Sequence, residues 1–356
     1  MRLMQMLAGA PQGGAETFFV SLAAAFERAR REGRADVSQL ALIRRNEARA
    51  RSLRDAGVET LELPFRGWFD ISTGPRVSGQ VEAFRPDVVL AYMNRAASWM
   101  PSGAFLKLAR LGGYYDVKYY RRCDHLLCIT EDIRRHTIAQ GWPAEQAHTM
   151  PNFAAVDDHP AQPRAELDTP ADVPLLLVPS RLHQAKGIDT MLRALQREPR
   201  AHLWIAGTGP QRPELESLAD ELGVSDRVRF LGWRSDRGAL YRACDIVVFP
   251  SRYEPFGTVS LEAWAYGKPL VAADADGPAG LVRPEEDALL VPRDDAAALA
   301  AAVTRLIDGP ELAARLVAAG SARYRREFTE EACVQRYLEL FRRLLDARAP
   351  ATEAAT

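Results

Sequence analysis

The sequence predicts an α/β protein of two domains, each built on a parallel sheet with helices on both faces. Two observations carry this. Short apolar runs of strand length alternate with amphipathic stretches of helical period, first from Met1 to Gln140 and again from Leu175 onward. Between the two series, Pro151 to Pro174 holds five prolines with several Asp and Ala, the composition of an interdomain connection. A chain of 356 residues is long for one core and sufficient for two.

Taken in order, Met1 to Leu7 reads as a strand, Gly9 to Gly14 as a glycine-rich loop and Thr17 to Arg31 as an amphipathic helix. Val37 to Ile43 is a strand, Glu47 to Ala56 a helix and Thr60 to Leu63 a short strand. Arg76 to Phe84 is helical, and Pro86 introduces the strand Asp87 to Tyr92. Lys107 to Leu111 and His125 to Ile129 are further strands, and Glu131 to Gln140 is a helix closed by Gly141. In the second half the strands are Leu175 to Pro179, His202 to Ala206, Val228 to Phe230, Ile246 to Phe249 and Pro269 to Ala273. Residues 295–326 read as Ala- and Arg-rich helix. Glu330 to Leu345 is a final helix with its apolar stripe at Val334, Tyr337, Leu338, Phe341 and Leu345. The expected division is a first domain over 1–156, a linker over 157–173, a second domain over 174–326, a helix over 327–346 and a tail over 347–356.

No apolar run reaches the roughly 18–20 residues of a membrane span. Gln5 interrupts the apolar N-terminus, which reads as a first strand rather than a signal peptide. Cys123, Cys128, Cys244 and Cys333 form no C-x-x-C and no disulfide pattern, as expected of a cytoplasmic protein. Asp157, Asp158 and His159 are the nearest approach to a metal cluster, but they fall in the proline-rich stretch and read as solvated linker, so no metal site is expected. Residues 1–165 carry 22 basic and 18 acidic side chains, a net of +4; residues 166–356 carry 24 and 29, a net of −5. Nine arginines between Arg28 and Arg54 supply much of the basic excess. Such a cluster suits peripheral contact with an anionic membrane at the inner face, or else a solvated helical face. Without interleaved aromatics it does not suit nucleic acid.

The stretch from Ile246 to Asp274, IVVFPSRYEPFGTVSLEAWAYGKPLVAAD, reads as strand, loop, helix, strand. Its loop stands at the carboxyl end of a strand and opens a helix, where free backbone N–H groups and the helix dipole favour an anion. Glu254 in the loop and Glu262 one turn into the helix flank that place. The spacing alone is weak, since Glu331 and Glu339 share it on the C-terminal helix. Upstream, PSRLHQAKGID puts Arg181 and Lys186 just past another strand, a planar fork and a point charge suited to a diphosphate. Gly207 and Gly209 allow close backbone approach to a ligand. Trp233 either stacks or packs.

Together, EPFG before the helix and LEAWAYGKP through it resemble the E-x7-E signature of the retaining glycosyltransferases of family 4, the group that includes sucrose, mannosyl and lipopolysaccharide-core transferases. The segment from Arg181 to Gly187 is similar to that family's R-x4-K-G element, AGTGP to its G-x-G-P, and RVRFLGW to the segment edging the nucleobase. The resemblance covers the second half closely and the first half loosely. It implies a GT-B fold: two Rossmann-like domains facing a cleft, with the C-terminal helix crossing back to the N-terminal domain. It implies a donor that is a UDP- or GDP-linked sugar, an acceptor hydroxyl on a glycan or glycolipid, retention at the anomeric carbon, and no requirement for a metal or other cofactor. By resemblance, Glu254 holds donor-sugar hydroxyls and Glu262 the ribose. Arg181, Lys186 and the N–H groups at Gly257 and Thr258 neutralise the diphosphate, Phe256 is a further donor-binding residue of that loop, and the loop at Gly13 and Gly14 faces the donor's phosphate and sugar from the first domain. Asn94, Arg95, Arg110, Tyr114 and Tyr115 follow strands of the first half and are acceptor candidates. The chain departs from the family where Gly-Gly-Tyr-Tyr replaces a loop that often carries a histidine, and where Gly280 and Ala288 replace a common Glu and Gly.

Two other functions share these features. A nucleotide-sugar isomerase, similar to UDP-N-acetylglucosamine 2-epimerase, would turn over without acceptor. A non-catalytic two-domain sugar-binding protein would be exported. A nicotinamide dehydrogenase is disfavoured, because PQGGAE is not G-x-G-x-x-G.

Overall fold

The computed structural model describes residues 1–11, 13–66 and 70–348. The chain divides into two compact units: unit 1 takes Met1–Asn152 and the stretch from Glu330, and unit 2 takes Phe153–Thr329. The tail expected over 347–356 lies, from 349 onward, outside the described residues.

Among the described residues, unit 1 has strands β1 (Arg2–Leu7), β2 (Ser38–Arg44), β3 (Glu59–Leu63), β4 (Val88–Tyr92), β5 (Leu106–Leu111), β6 (His125–Cys128) and β7 (Ala147–Thr149). They pair in parallel in the order β3-β2-β1-β4-β5-β6-β7. Helices α1 (Gly14–Arg31), α2 (Glu47–Asp55), α3 (Thr73–Phe84), α4 (Met93–Ala97) and α5 (Glu131–Ala139) make the connections. The order reverses between β1 and β4, as in doubly wound sheets. Strands covered on both faces are near-continuous apolar runs, which is why most were legible. Gln5, the one polar residue inside β1, is fully buried and satisfied. It donates to Gln39 Oε1 at 2.7 Å and accepts from the Tyr92 hydroxyl at 2.9 Å, and Gln39 donates to the Ala23 carbonyl at 3.0 Å. That network joins β1, β2, β4 and α1 at the switch point.

Unit 2 has strands β8 (Leu175–Val178), β9 (His202–Ala206), β10 (Val228–Gly232), β11 (Ile246–Phe249), β12 (Leu270–Ala273) and β13 (Leu289–Val291), all parallel, in the order β10-β9-β8-β11-β12-β13. Its helices are α6 (Ile188–Arg197), α7 (Arg212–Glu221), α8 (Arg237–Ala243), α9 (Thr258–Ala265), α10 (Asp276–Leu281), α11 (Ala296–Asp308) and α12 (Pro310–Glu327). The helix expected over 295–326 is therefore two. Gly309 ends the first, and Pro310, which lacks an N–H, starts the second. The segment expected as a solvated linker packs on unit 2. Asp157 accepts from the Gly238 N–H at 3.0 Å, Arg164 pairs with Asp245 at 2.7 Å, and Trp204 Nε1 donates to the Thr169 hydroxyl at 2.9 Å.

Helix α13 (Glu330–Asp346) returns to unit 1 and packs on α1, with Phe26 against Tyr337 and Phe341. Its buried stripe ends on Leu344, not on the expected Leu345. The anchor is Arg110 near the end of β5, a residue expected at the acceptor site. It is buried, donates Nε to the Tyr337 hydroxyl at 2.9 Å and Nη2 to Asn152 Oδ1, and lies over the Phe18 ring at 4.1 Å. Arg110 thus holds α13 and Asn152, the last residue of the first stretch of unit 1, and it is buried by these contacts. Tyr337→Phe strands a buried guanidinium donor, so α13 should open more easily by about 1.5–3 kcal/mol. Amide hydrogen exchange across 330–346 should accelerate roughly tenfold to a hundredfold, with exchange in the unit 2 strands unchanged as the control.

Candidate active site

In unit 2 the order reverses between β8 and β11, so the loops leaving these neighbouring strands diverge and open a crevice at their carboxyl ends. The two loops are fastened to each other. Gly187 has φ +61°, and a Cβ there would stand 2.1 Å from the Pro250 carbonyl oxygen, so only glycine fits. The Ala185 carbonyl accepts from the N–H groups of Arg252 at 2.9 Å and Tyr253 at 3.1 Å. The Arg252 guanidinium makes a fork to Asp189 at 2.8 and 2.7 Å, reaches the Gln184 carbonyl at 2.8 Å and pairs with Asp294. The consequence is that Lys186 Nζ lies 2.6 Å from Glu254 Oε2, with the two side chains only 14% and 19% exposed. Arg181 leaves the same loop, exposed and in no ion pair among the described residues.

Helix α9 begins at Gly257, whose φ of +96° turns the chain, and no side chain caps it. Its first-turn N–H groups at Thr258 therefore keep their donor capacity. The Ser260 hydroxyl in that turn is buried and has no hydrogen-bond partner among the described residues. Phe256 is buried, so it can offer a ligand only its backbone. Gly277 braces the loop: its N–H donates to the Glu254 carbonyl at 2.8 Å, and a Cβ there would meet that oxygen and the Phe256 nitrogen at 2.5 Å. Glu262 is held by one oxygen. Its Oε2 accepts from Arg237 Nη2 at 2.6 Å and from the Tyr241 hydroxyl. Burial, then the Glu262 charge, keeps the Tyr241 hydroxyl protonated far above its usual range, so it donates.

The neighbouring loops bear on two further expectations. Cβ atoms at Gly207 and Gly209 would stand 2.0 Å from the Ser180 carbonyl oxygen and 2.2 Å from that of Leu182. These glycines thus permit a close approach to the loop after β8, and the Leu182 N–H completes it by donating to the Thr208 carbonyl at 3.0 Å. Trp233, just past β10, is 73% exposed, so of the two roles open to it, packing is excluded.

Unit 1 differs at its own switch point. Cβ atoms at Gly9 and Gly13 would each stand 2.3 Å from a carboxylate oxygen of Glu16, which is buried and accepts from the Ala10 N–H at 2.7 Å. The space at Gly13 is taken by the protein's own anion, while Gly14 is open. Arg49 donates to the Ala10 and Pro11 carbonyls at 2.7 and 3.1 Å. Met93, at φ +61°, turns the chain from β4 into α4, where Asn94 Oδ1 accepts from the Arg95 N–H and Arg95 is exposed. The Tyr114 hydroxyl donates to Asp132 at 2.6 Å and its ring meets His136, so it docks α5; Tyr115 is followed by a short turn against the same helix. The arginine cluster is mostly paired: Arg28 with Glu330, Arg30 and Arg31 with Glu27, Arg34 with Glu32, Arg51 with Glu47. With Arg54 near Glu62 at 3.8 Å and Arg49 buried, Arg44 and Arg45 are the remaining members of the cluster with no ion pair among the described residues. Among the described residues no helix is long and apolar enough to cross a membrane, and no group of three or more His, Cys, Asp or Glu is arranged to hold a metal.

Two doubly wound parallel sheets are the architecture of the GT-B fold. Comparison with known proteins supplies the class of activity. Residues 161–323 match the family model for glycosyl transferases group 1. The chain is 37% identical over 350 residues to the lipopolysaccharide core biosynthesis glycosyltransferase LpsD of Rhizobium meliloti (strain 1021), covering 96% of this chain and 98% of LpsD. It is 36% identical over 333 residues to LpsE of the same organism, covering 92% and 95%. The fold superposes on Anabaena Alr3699/HepE in complex with UDP and glucose with a TM-score of 0.79, at 22% identity, over 95% of this chain and 99% of that one. The chain belongs to the glycosyl transferases group 1 family.

Arg252, Gly277, Arg237 and Tyr241 were not foreseen. Arg252 had a weak signal, two residues before Glu254 in SRYEP; the others depend on contacts distant in sequence. Gly277→Ala should destabilise unit 2 by about 1–3 kcal/mol through overpacking. Gly280→Ala, on the same helix with nothing within 4 Å of its Cβ position, should change stability by less than about 0.5 kcal/mol. Thermal unfolding of the two variants compares them directly.

Proposed function

We propose that this glycosyltransferase moves a sugar from a nucleoside diphosphate sugar to an acceptor hydroxyl with retention, in the synthesis of a cell-envelope glycoconjugate such as lipopolysaccharide core. The observation that carries it is the Lys186–Glu254 pair beside the uncapped start of α9, with Arg181 on the same rim. Arg181, Lys186 and the N–H groups at Gly257 and Thr258 would neutralise the departing diphosphate, electrostatic preorganisation aimed at developing charge. Glu254 has its second oxygen for donor-sugar hydroxyls. Glu262, fixed by Arg237 and Tyr241, presents its second oxygen to the ribose, and the exposed Trp233 ring borders the base. The HepE complex with UDP and the names of LpsD and LpsE support a UDP-linked donor and an envelope acceptor. We place the reaction in the cytoplasm, in keeping with four buried, unbridged cysteines. Asn94 and Arg95 remain the acceptor candidates of unit 1, because they lie at its switch point and Arg95 is exposed.

Calorimetry with UDP, GDP and ADP should give micromolar binding of one of them, about −8 kcal/mol; binding of none removes the proposal. Arg181→Ala should weaken the diphosphate by about 1.5–3 kcal/mol while sparing the nucleoside. Because Arg181 has no ion pair to lose in the fold, that loss would not come through stability. Lys186→Ala should do the same and also release Glu254.

Glu254→Gln should lower turnover by at least about a hundredfold with nucleotide binding kept, whereas Glu262→Gln should weaken the nucleotide itself. Glu331→Gln, exposed on α13, is the control and should match the unaltered enzyme. Proton NMR of the product should show the donor's anomeric configuration; inversion would refute the retaining assignment.

A further inference from the structure

We propose that unit 1 carries a second ligand site, for a phosphoryl group borne on a polyol or sugar, in the cavity beside the amino-terminal ends of β5 and β6. This site is independent of the active site proposed above, whose residues all lie at carboxyl ends of strands. The cavity has a volume of about 560 Å³. Lys107, Arg121 and Arg122 line it against a single acid, Asp124. That acid is already committed: Asp124 Oδ2 accepts from the Lys107 N–H at 2.9 Å and from Arg348 at 2.7 Å. Asp116, whose charge also acts on Arg121, pairs with Lys118 at 2.7 Å. Among the described residues, none of the three lining cations forms an ion pair, in contrast to the Arg28–Arg54 segment, where neighbouring carboxylates neutralise most of the charge. Cys123 adds no negative charge, since burial pushes its thiol up to about 12.

Adjacent arginines offer planar forks, which match phosphate oxygens in pairs. Trp99, Met100 and Pro101 also line the cavity, and a ring carbon of Trp99 stands 3.6 Å from where a Cβ at Gly74 would lie. A cationic rim over an aromatic wall suits an anion attached to a carbon skeleton better than a bare ion. Ile71 is 89% exposed three residues before Gly74, and Tyr119 is 44% exposed two residues before Arg121. They are the exposed large apolar residues described in unit 1, and each is within three residues of one that lines the cavity. A phosphoryl group can reach it from a soluble phosphorylated polyol or from the headgroup of a membrane lipid.

The test uses the full chain with sn-glycerol 3-phosphate in calorimetry, and with phosphatidylglycerol and phosphatidylcholine vesicles in co-sedimentation at low salt. Arg121→Gln with Arg122→Gln is compared with Arg34→Gln with Arg51→Gln, which removes the same charge from the paired cluster. All four residues are exposed, so both proteins should fold. The first pair should lose roughly 25-fold in affinity for the ligand that binds, on the order of fivefold per arginine, and the second pair should lose none. Binding to phosphatidylglycerol vesicles that glycerol phosphate displaces identifies a lipid headgroup as the source. Binding of glycerol phosphate without vesicle binding identifies a soluble phosphorylated polyol. Absence of binding in both arms, or an equal loss in both double variants, overturns the proposal.

Discussion

The active site depends on one backbone contact, the seat of Gly187 on the Pro250 carbonyl. Neighbouring parallel strands are about 4.8 Å apart, and loops that leave them in opposite directions would separate at once. Here they are kept together for several residues by the absence of a side chain at 187 and by two N–H donors shared on the Ala185 carbonyl. That contact delivers Lys186 to Glu254. Arg252 then ties the assembly to α6 and to the residues after β13 through Asp189 and Asp294. The pair it sets up is costly to maintain. Two charges largely removed from water must offset their desolvation, and an apolar pair of similar volume would be no less stable. A mostly buried ion pair at a switch point is therefore not explained by the stability of the fold alone.

The fold was legible because both sheets are parallel and covered. Their strands read as apolar runs, and even Gln5 in β1 did not hide the first of them. What escaped was short or defined by distant partners. β7 and β13 have three residues each, too few to show a period. Residues 157–173 look like a linker by composition, yet Asp157, Arg164 and Thr169 meet α8, the residues just after it and β9 across 35 to 85 positions of sequence. Arg110 is the clearest case. A lone arginine at a strand's carboxyl end points by position to a substrate, but it is enclosed by Phe18 on α1, Tyr337 on α13 and Asn152, which sequence does not place beside it.

The glycines divide the same way. Sequence marks where a backbone must come close to something without saying to what. At Gly187, Gly207, Gly209 and Gly277 the neighbour is the protein's own carbonyl, and the four together form a frame behind Lys186 and Glu254. Motif context singled out Lys186 and Glu254, which the structure brings together; the frame that aims them was not legible, because it consists of backbone contacts between loops.

The two units share a topology and differ at the same point of it. Each has a reversal of strand order and a helix that starts at the carboxyl end of a strand, where N–H groups and the helix dipole favour an anion. In unit 1 that position is filled from within: Glu16, on the first turn of α1, folds its carboxylate against Gly9 and Gly13 and takes the Ala10 N–H, with Arg49 bracing the loop carbonyls. A phosphate brought to the same place would meet a buried negative charge. In unit 2 the first turn of α9 has no acid and no cap, and its cations stand on the adjoining loop. The two turns therefore differ in chemistry and not in geometry: the first is already occupied by a carboxylate of the chain, whereas the second keeps its N–H donors beside cations.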